Sequence, residues 1–204
     1  MSERWRLGGK RALVTGGTKG IGYAIAAELL HLGATVTITA RTEADVQTCV
    51  EAWRNAGLNA HGVVADVTTE AGRETIVAAI GDALAILVLN VGTNIRKTTL
   101  DTTPDDYAHV MRTNLDAAVF LAQSLHPALS ATGDAAIVVV GSVAGAVPVM
   151  TGLPYALSKA ALDQMTRYLA VEWAGDGIRV NAVDRKSTRL NSSHSTLSRM
   201  PSSA

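Results

Sequence analysis

The chain has 204 residues, of which 48% are hydrophobic, and its 18 basic and 18 acidic residues give a formal net charge of zero. This length suits a single α/β domain with a sizeable core, while the zero charge argues against a dedicated nucleic-acid or acidic-membrane binder, which normally carries a basic excess. The single cysteine, Cys49, excludes an internal disulfide and a cysteine-rich zinc site.

Short runs of β-branched residues alternate along the chain with longer segments of helical periodicity. The predicted strands are Arg11–Thr15, Thr35–Thr39, Asn59–Val64, Leu84–Leu89, Ala135–Val140 and Arg179–Val183. The predicted helices are Ile21–Leu32, Glu43–Ala56, Thr69–Ile80, Pro104–Leu115, Ala117–Leu129 and Pro154–Ala174. This alternation is typical of βαβ units, so we expect an α/β fold with a doubly wound parallel sheet, the Rossmann fold.

The first ten residues are polar and basic, without the apolar stretch of a secretory signal. The longest apolar runs have the length of strands and are too short to span a bilayer. We therefore expect a cytoplasmic protein from a reducing compartment, with no membrane or nucleic-acid partner. The five histidines show no paired ligand spacing, so we predict no metal site.

The composition changes abruptly after the sixth predicted strand. Residues 184–204 hold seven of the twelve serines, four basic residues and one acidic residue, which predicts a disordered tail after a nucleotide-binding domain over residues 1–183. The string RKSTRLNSSHS in this tail resembles a translated sequencing adapter, so we do not expect it to be part of the fold. The alternatives are a frameshifted terminus and a genuine basic tail that binds an anionic partner.

The first predicted strand leads through the glycine-rich turn Thr15-Gly-Gly-Thr-Lys-Gly-Ile-Gly22 directly into a helix. Glycines permit positive φ angles and a close approach of the backbone to a phosphate, and a helix N-terminus offers free N–H groups to an anion. The spacing G-x-x-x-G-x-G differs from the commoner dinucleotide motif and from a Walker A loop. We predict that the turn binds dinucleotide phosphates through Gly16, Thr18, Lys19, Gly20, Ile21 and Gly22.

The residues that end the second strand distinguish between two nicotinamide cofactors. An acidic residue at this point would bind the ribose 2′-hydroxyl of NAD, but the chain reads Thr39-Ala40-Arg41 and has no acidic residue before Glu43. The planar guanidinium of Arg41 can pair with a 2′-phosphate, and Lys19 adds a second positive charge. The pattern therefore predicts NADP as the cofactor.

A candidate catalytic group follows the fifth strand. Ser142 comes first, and Tyr155 and Lys159 follow at a spacing that places them on one face of a helix. An ammonium group beside a phenol favours the phenolate, which can exchange a proton with a carbonyl or alcohol oxygen while a hydride moves. Ser142 can hydrogen-bond the same oxygen. A partly buried tyrosine with a surface lysine, without catalytic function, is the alternative for this pair considered alone.

The glycine-rich turn, Ser142 and the Tyr155–Lys159 pair together resemble the short-chain dehydrogenase/reductase family over residues 7–183. The segment Asn90-Val-Gly-Thr-Asn-Ile-Arg-Lys97 is similar to its tropinone-reductase-like branch. The resemblance implies an NADP-dependent reductase in which Tyr155 donates the proton, Lys159 also holds the nicotinamide ribose, and Ser142 orients the oxygen. It further implies adenine contacts by Asp66 and Val67, cofactor contacts by Asn90 and Gly92, and support of the proton path to the lysine by Asn114.

The family resemblance also predicts partners and one defect. The substrate is expected to be a small carbonyl compound or alcohol, and the intact protein a homodimer or homotetramer that associates through Ala117–Leu129 and Pro154–Ala174. Family members continue after the sixth strand with a loop at the nicotinamide, a lid helix and a seventh strand, which residues 184–204 do not match. We therefore expect the 204-residue chain to be poorly soluble or nearly inactive. A non-catalytic NADP-binding or scaffold protein is the alternative function.

Overall fold

A computed structural model describes residues 6–185, which form a six-stranded sheet with helices on both faces. The strands are β1 (Arg11–Thr15), β2 (Thr35–Ala40), β3 (Ala60–Val64), β4 (Ile86–Leu89), β5 (Ala135–Ser142) and β6 (Ile178–Arg185). The helices are α1 (Gly20–His31), α2 (Glu43–Asn55), α3 (Glu70–Ile80), α4 (Pro104–Met111), α5 (Ala117–Ser130) and α6 (Leu153–Glu172). All neighbouring strands are parallel in the order β3-β2-β1-β4-β5-β6, which confirms the predicted doubly wound fold.

Two hydrophobic cores lie on opposite faces of the sheet. Alternate residues of β1 point to opposite faces, so that Leu13 belongs to one core and Ala12 and Val14 belong to the other. The Leu13 core is covered by α3, α5 and α6, and the Val14 core is covered by α1 and α2. Burial on both faces explains why the strands are nearly continuous apolar runs rather than alternating patterns.

Some strands begin or end at residues other than the predicted ones, because strand pairing involves residues that are distant in the sequence. β4 begins at Ile86, two residues after its predicted start, because the Leu84 amide instead bonds the Ala128 carbonyl at 2.9 Å. β5 continues through Ser142, which pairs with Arg185 of β6. The sixth strand therefore extends two residues past its predicted end and includes the first two residues assigned to the tail. The rest of the predicted tail, residues 186–204, lies outside the described residues.

The fourth and fifth helices form one helical run with a π-helical turn at Arg112–Asp116 between them. The run begins with a capping box, in which the Thr103 hydroxyl accepts from the Asp106 amide and the Asp106 carboxylate accepts from the Thr103 amide. Such π turns are found frequently at functional sites because they insert one residue and shift the side chains on either side. Here the turn contains Asn114, one of the predicted site residues.

In the part of the chain covered by the structure, no helix is both long and apolar enough to cross a membrane.

Candidate active site

A cleft of about 1180 Å³ runs along the carboxyl ends of the strands. The chain proceeds from β1 outwards to β3 and then returns to place β4 beside β1, and open α/β sheets bind ligands at such a reversal of strand order. Nearly all of the predicted site residues line this one cleft. They are Gly16, Thr18, Lys19, Gly20, Ile21, Gly22, Arg41, Asp66, Val67, Asn90, Gly92, Ser142, Tyr155 and Lys159.

The glycine-rich turn is shaped to hold an anion against α1. Gly16 and Gly20 adopt φ angles of 64° and 58°, which other residues rarely adopt. A side chain at Gly22 would overlap the Gly16 carbonyl oxygen, so this position also requires glycine. Lys19, the N-cap of α1, makes no side-chain capping bond, and the first turn contains no acidic residue. The first N–H groups of the helix are therefore available to a phosphate.

Asn90 braces this turn from the neighbouring strand. Its side-chain amide donates hydrogen bonds to the carbonyl oxygens of Thr15 at 2.8 Å and Gly16 at 3.3 Å. Its backbone N–H donates to the Thr15 hydroxyl at 2.9 Å, and that hydroxyl also bonds the Val88 carbonyl. The side chain of Asn90 therefore fixes the glycine turn, while the residue also forms part of the cleft wall.

The end of the cleft beside β2, which we call the far end because it lies away from Tyr155, carries charges suited to a phosphorylated ribose. Lys19 and Arg41 are both exposed on the cleft wall. The nearby hydroxyl of Thr39 is buried and has no hydrogen-bond partner among residues 6–185, which is typical of a polar group that a ligand satisfies. These residues, together with the glycine cradle, fit NADP: the turn and the α1 N-terminus would hold its pyrophosphate, and Arg41 and Lys19 its 2′-phosphate.

Asp66 follows β3 and stays ionised beside this positive end. Burial alone would raise the pKa of Asp66, but hydrogen bonds from the Thr68 amide and hydroxyl and the charge of Arg41 hold the pKa below its ordinary value. Both Thr68 bonds end on the same carboxylate oxygen, Oδ1, at 2.9 and 2.8 Å. The carboxylate is thereby held in one orientation at the cleft wall, where an acceptor can meet the amino group of a nucleotide base.

Tyr155 and Lys159 lie on the cleft wall one turn apart on α6. Tyr155 packs in a small cluster with Val110 and Ala144, and only 9% of its surface is exposed. The Lys159 ammonium lies 5.8 Å from the centroid of the Tyr155 ring and donates a hydrogen bond to the Val140 carbonyl at 2.8 Å. A positive charge is therefore fixed beside the phenol in a site that is largely shielded from water.

Ser142 is placed opposite α6 by the end of β5. Its hydroxyl accepts a hydrogen bond from the Ala144 amide at 3.3 Å in the short 3-10 turn Val143–Gly145. A Cβ at Gly145 would come within 2.8 Å of the Lys159 carbonyl carbon, so this turn packs directly against the α6 backbone. The glycine contact holds the turn that follows Ser142 in a fixed position relative to Lys159.

Asn114 lies behind the cleft wall and connects three segments. Its Oδ1 accepts from the Thr93 amide at 2.7 Å, and its Nδ2 donates to the Thr93 carbonyl and to the Ser158 hydroxyl, both at 2.9 Å. Ser158 in turn donates to the Tyr155 carbonyl at 2.8 Å. The position of a Cβ on Gly92 lies 3.5 Å from Asn114 Oδ1 and 3.7 Å from Lys159 Nζ. The asparagine therefore joins the loop after β4 to the helix that carries the tyrosine and the lysine.

The sequence did not identify several residues that complete the site. Thr15, Thr68, Thr93 and Ser158 hold predicted residues in place, and each stands beside or close to one of them in the chain, which is the one signal that pointed to them. Three further side chains with basic groups line the cleft near its tyrosine end or along the helical run. They are Arg96, His109 and Arg112. Arg96 belongs to the segment that is similar to the tropinone-reductase-like branch, but that similarity assigned it no role, and no local sequence pattern marks the other two.

Within residues 6–185, no group of three or more histidine, cysteine or acidic side chains is arranged to hold a metal ion.

The sequence is similar to those of known dehydrogenases and reductases. A model of the short chain dehydrogenase family matches residues 10–196 of the chain. A tropinone reductase homolog from Arabidopsis thaliana is 44% identical over 185 residues, which cover 89% of this chain and 70% of that protein. The range of the family model includes every residue of the cleft described above.

Solved structures with the same fold include enzymes with nicotinamide cofactors. A gluconate 5-dehydrogenase from Burkholderia cenocepacia, in complex with NADP and tartrate, superposes with a TM-score of 0.83 at 34% identity, covering 93% of this chain and 76% of that one. The L-sorbose reductase of Gluconobacter frateurii, complexed with NADPH and L-sorbose, superposes with a TM-score of 0.85 at 30% identity, covering 88% and 70%.

Proposed function

The chain belongs to the short-chain dehydrogenase family, in its tropinone-reductase-like branch, and from this premise we propose that it is an NADP(H)-dependent oxidoreductase that reduces a ketone to a secondary alcohol or catalyses the reverse reaction. The observation that carries the proposal is the presence of Tyr155, Lys159 and Ser142 on the wall of the same cleft as the glycine-rich turn. A proton donor and an anion cradle in one cleft suit hydride transfer to a carbonyl group.

Each residue has a distinct part in the proposed reaction. When bound, NADPH supplies the hydride that reduces the carbonyl carbon. Tyr155 gives its hydroxyl proton to the carbonyl oxygen as the negative charge on that oxygen develops. Lys159 stabilises the phenolate that remains, and Ser142 donates a hydrogen bond that orients the same oxygen. Asn114 acts through its bonds to Thr93 and Ser158, and supports the supply of protons to Lys159.

The preference for NADP is supported by two independent observations. Arg41 and Lys19 line the end of the cleft where the ribose phosphate would lie. NADP or NADPH is present in structures that this chain resembles, among them the gluconate 5-dehydrogenase and the L-sorbose reductase. The substrates of these two neighbours, a sugar acid and a ketose, support a small polar carbonyl compound or alcohol as the substrate of this chain.

A fluorescence titration followed by an activity assay tests this function. We expect the chain to bind NADPH more tightly than NADH and to oxidise NADPH in the presence of at least one compound from a panel of ketones. Binding of NADPH without turnover of any ketone would favour the alternative of a non-catalytic NADP-binding protein. Absence of NADPH binding would contradict the proposal as a whole.

Two further expectations from the sequence stay predictions, the poor solubility or near inactivity of the 204-residue chain and its cytoplasmic location. A kcat in the usual enzyme range of about 1 to 1000 per second would contradict the first. The expected cytoplasmic location is tested by fractionation of cells that produce the protein.

A further inference from the structure

The loop that follows β4 is clamped at both ends. At its start, Thr93 forms two backbone hydrogen bonds with the Asn114 side chain. At its end, the Lys97 ammonium pairs with the Asp106 carboxylate of α4 at 2.6 Å. Between these points Ile95 packs against the cluster that contains Tyr155. The intervening residues are therefore held at a fixed place along the cleft, next to the proposed proton donor.

Arg96, at the end of this clamped loop, carries a positive charge that is unpaired among residues 6–185. It is exposed and lines the cleft, and in the region that the structure describes no residue forms a hydrogen bond or ion pair with it. The charge of its neighbour Lys97, by contrast, is paired with the carboxylate of Asp106. A guanidinium on a held loop, with no partner among the described residues, is suited to bind an anion.

Arg96 lies at the substrate end of the cleft, because its neighbour Ile95 packs against the cluster that contains Tyr155. Five cationic and two acidic side chains line the cleft, an excess of three positive charges, although residues 1–183 carry more acidic than basic residues. Both acids, Asp45 and Asp66, follow β2 and β3 near Arg41, at the far end. The Tyr155 end therefore carries Arg96 and Lys159, and no acidic residue lines it among the described residues.

We propose that the substrate carries an anionic group, with a carboxylate as the leading candidate, and that Arg96 binds this group while the carbonyl lies at Tyr155. The inference rests on the proposed function and narrows it to a reductase of oxo acids or a dehydrogenase of hydroxy acids. A guanidinium binds a carboxylate or a phosphate through two parallel hydrogen bonds, which fixes the orientation of the substrate as well as its position.

Binding of matched acids and esters to the chain in complex with NADPH tests the inference. Hydroxy compounds are used so that both molecules are already reduced and no hydride is transferred. The acids are 2-hydroxybutanoate, 3-hydroxybutanoate and 6-hydroxyheptanoate, each compared with its methyl ester, and glycerol 3-phosphate compared with glycerol provides the phosphate pair. We expect at least one anion to bind about tenfold or more tightly than its neutral partner, as charge-assisted hydrogen bonds allow.

Substitution of Arg96 tests whether the preference for anions depends on this residue. We expect R96A to reduce the ratio of affinities to about one, R96K to retain part of it, and high salt to weaken it in the unchanged chain. R179A is the matched control, because Arg179 is an exposed arginine that pairs with Asp134 and does not line the cleft, and its ratio should be unchanged.

The outcomes separate the inference from the function on which it rests. A preference confined to glycerol 3-phosphate supports the inference and identifies phosphate as the anion. Equal binding of every anion and its neutral partner, or a preference that persists in R96A, overturns the inference while NADPH binding is intact. A chain that does not bind NADPH at all contradicts the proposed function instead, and this is measured before any of the pairs is added.

Discussion

In the proposed reaction the cofactor supplies the hydride and Tyr155 supplies the proton. Its ring is packed against Val110 and Ala144, and the ammonium of Lys159 is fixed nearby through the Val140 carbonyl. Removal of the hydroxyl should therefore affect the chemistry and leave the packing nearly unchanged, since phenylalanine has almost the same shape.

We predict that Tyr155→Phe lowers kcat for ketone reduction by about 100-fold to 10,000-fold, the range expected for loss of a general acid. The dissociation constant for NADPH should change little, because the substitution keeps the ring in place. The measurement is steady-state oxidation of NADPH together with a fluorescence titration. Tyr107→Phe, in an exposed tyrosine of α4, is the control and should retain the full rate. A Tyr155→Phe protein with an unchanged kcat would disprove the mechanism.

Arg41 should decide which cofactor binds. We predict that Arg41→Ala weakens the binding of NADPH by about tenfold or more, because a charge-assisted hydrogen bond is lost, and leaves the binding of NADH nearly unchanged. Titrations with the two cofactors measure the ratio directly. Arg179→Ala removes the same charge far from the cleft and should leave the ratio as it is. An equal loss of affinity for both cofactors would show that Arg41 does not contact the 2′-phosphate.

At the level of elements, the start of α4 and the clamped loop stabilise each other. Asp106 accepts from the Thr103 amide as part of the capping box and also pairs with Lys97. The Lys97 hydrogen bond and the two contacts with Thr103 lower the pKa of Asp106 from 3.8 to about 2. Because the folded pKa lies below the unfolded one, the charged form stabilises the folded state above about pH 4. This contribution is lost as the pH falls towards 2.

The prediction for this element is a pH-dependent loss of stability in Asp106→Asn. Between pH 5 and 7 the Tm of the variant should be lower than that of the unchanged chain, and the difference should shrink as the pH falls from about 4 to 2. Thermal unfolding followed by circular dichroism over this range measures it. Asp105→Asn removes a charge from the same helical turn and should show a smaller difference. A difference in Tm that does not vary with pH would show that the carboxylate charge is not the cause.

Local signals in the sequence predicted the elements that depend on neighbouring residues. The glycine turn and the Tyr155–Lys159 spacing could be recognised because each is formed by residues that lie close together in the sequence. The π-helical turn could not, since its sequence continues a helical pattern and Asn114 is held by Thr93 and Ser158, 21 and 44 residues away. The position of Arg96 in the cleft likewise depends on the clamp, which only the folded chain forms.

For the molecule as a whole, α6 connects the site to the surface. Its inner face buries Tyr155, Lys159 and Leu162. Its outer face carries a row of large apolar residues at helical spacing, all of which are exposed by 43–81%: Leu153, Leu157, Tyr168 and Val171. Exposed apolar rows of this kind commonly mark interfaces between subunits. The predicted homo-oligomer would therefore cover the back of the helix that carries the proton donor.

This apolar row of α6 should hold the subunits together. We expect the unchanged chain to form a dimer or tetramer and Leu157→Glu/Tyr168→Glu to be monomeric, because burying two carboxylates in an apolar interface is costly. Size-exclusion chromatography with light scattering gives the mass, over a range of protein concentrations. Leu100→Glu, which changes a 98% exposed leucine outside α5 and α6, should keep the mass of the unchanged chain. If the double variant keeps that mass as well, the subunits associate through another surface, and the apolar row on α6 has no part in assembly.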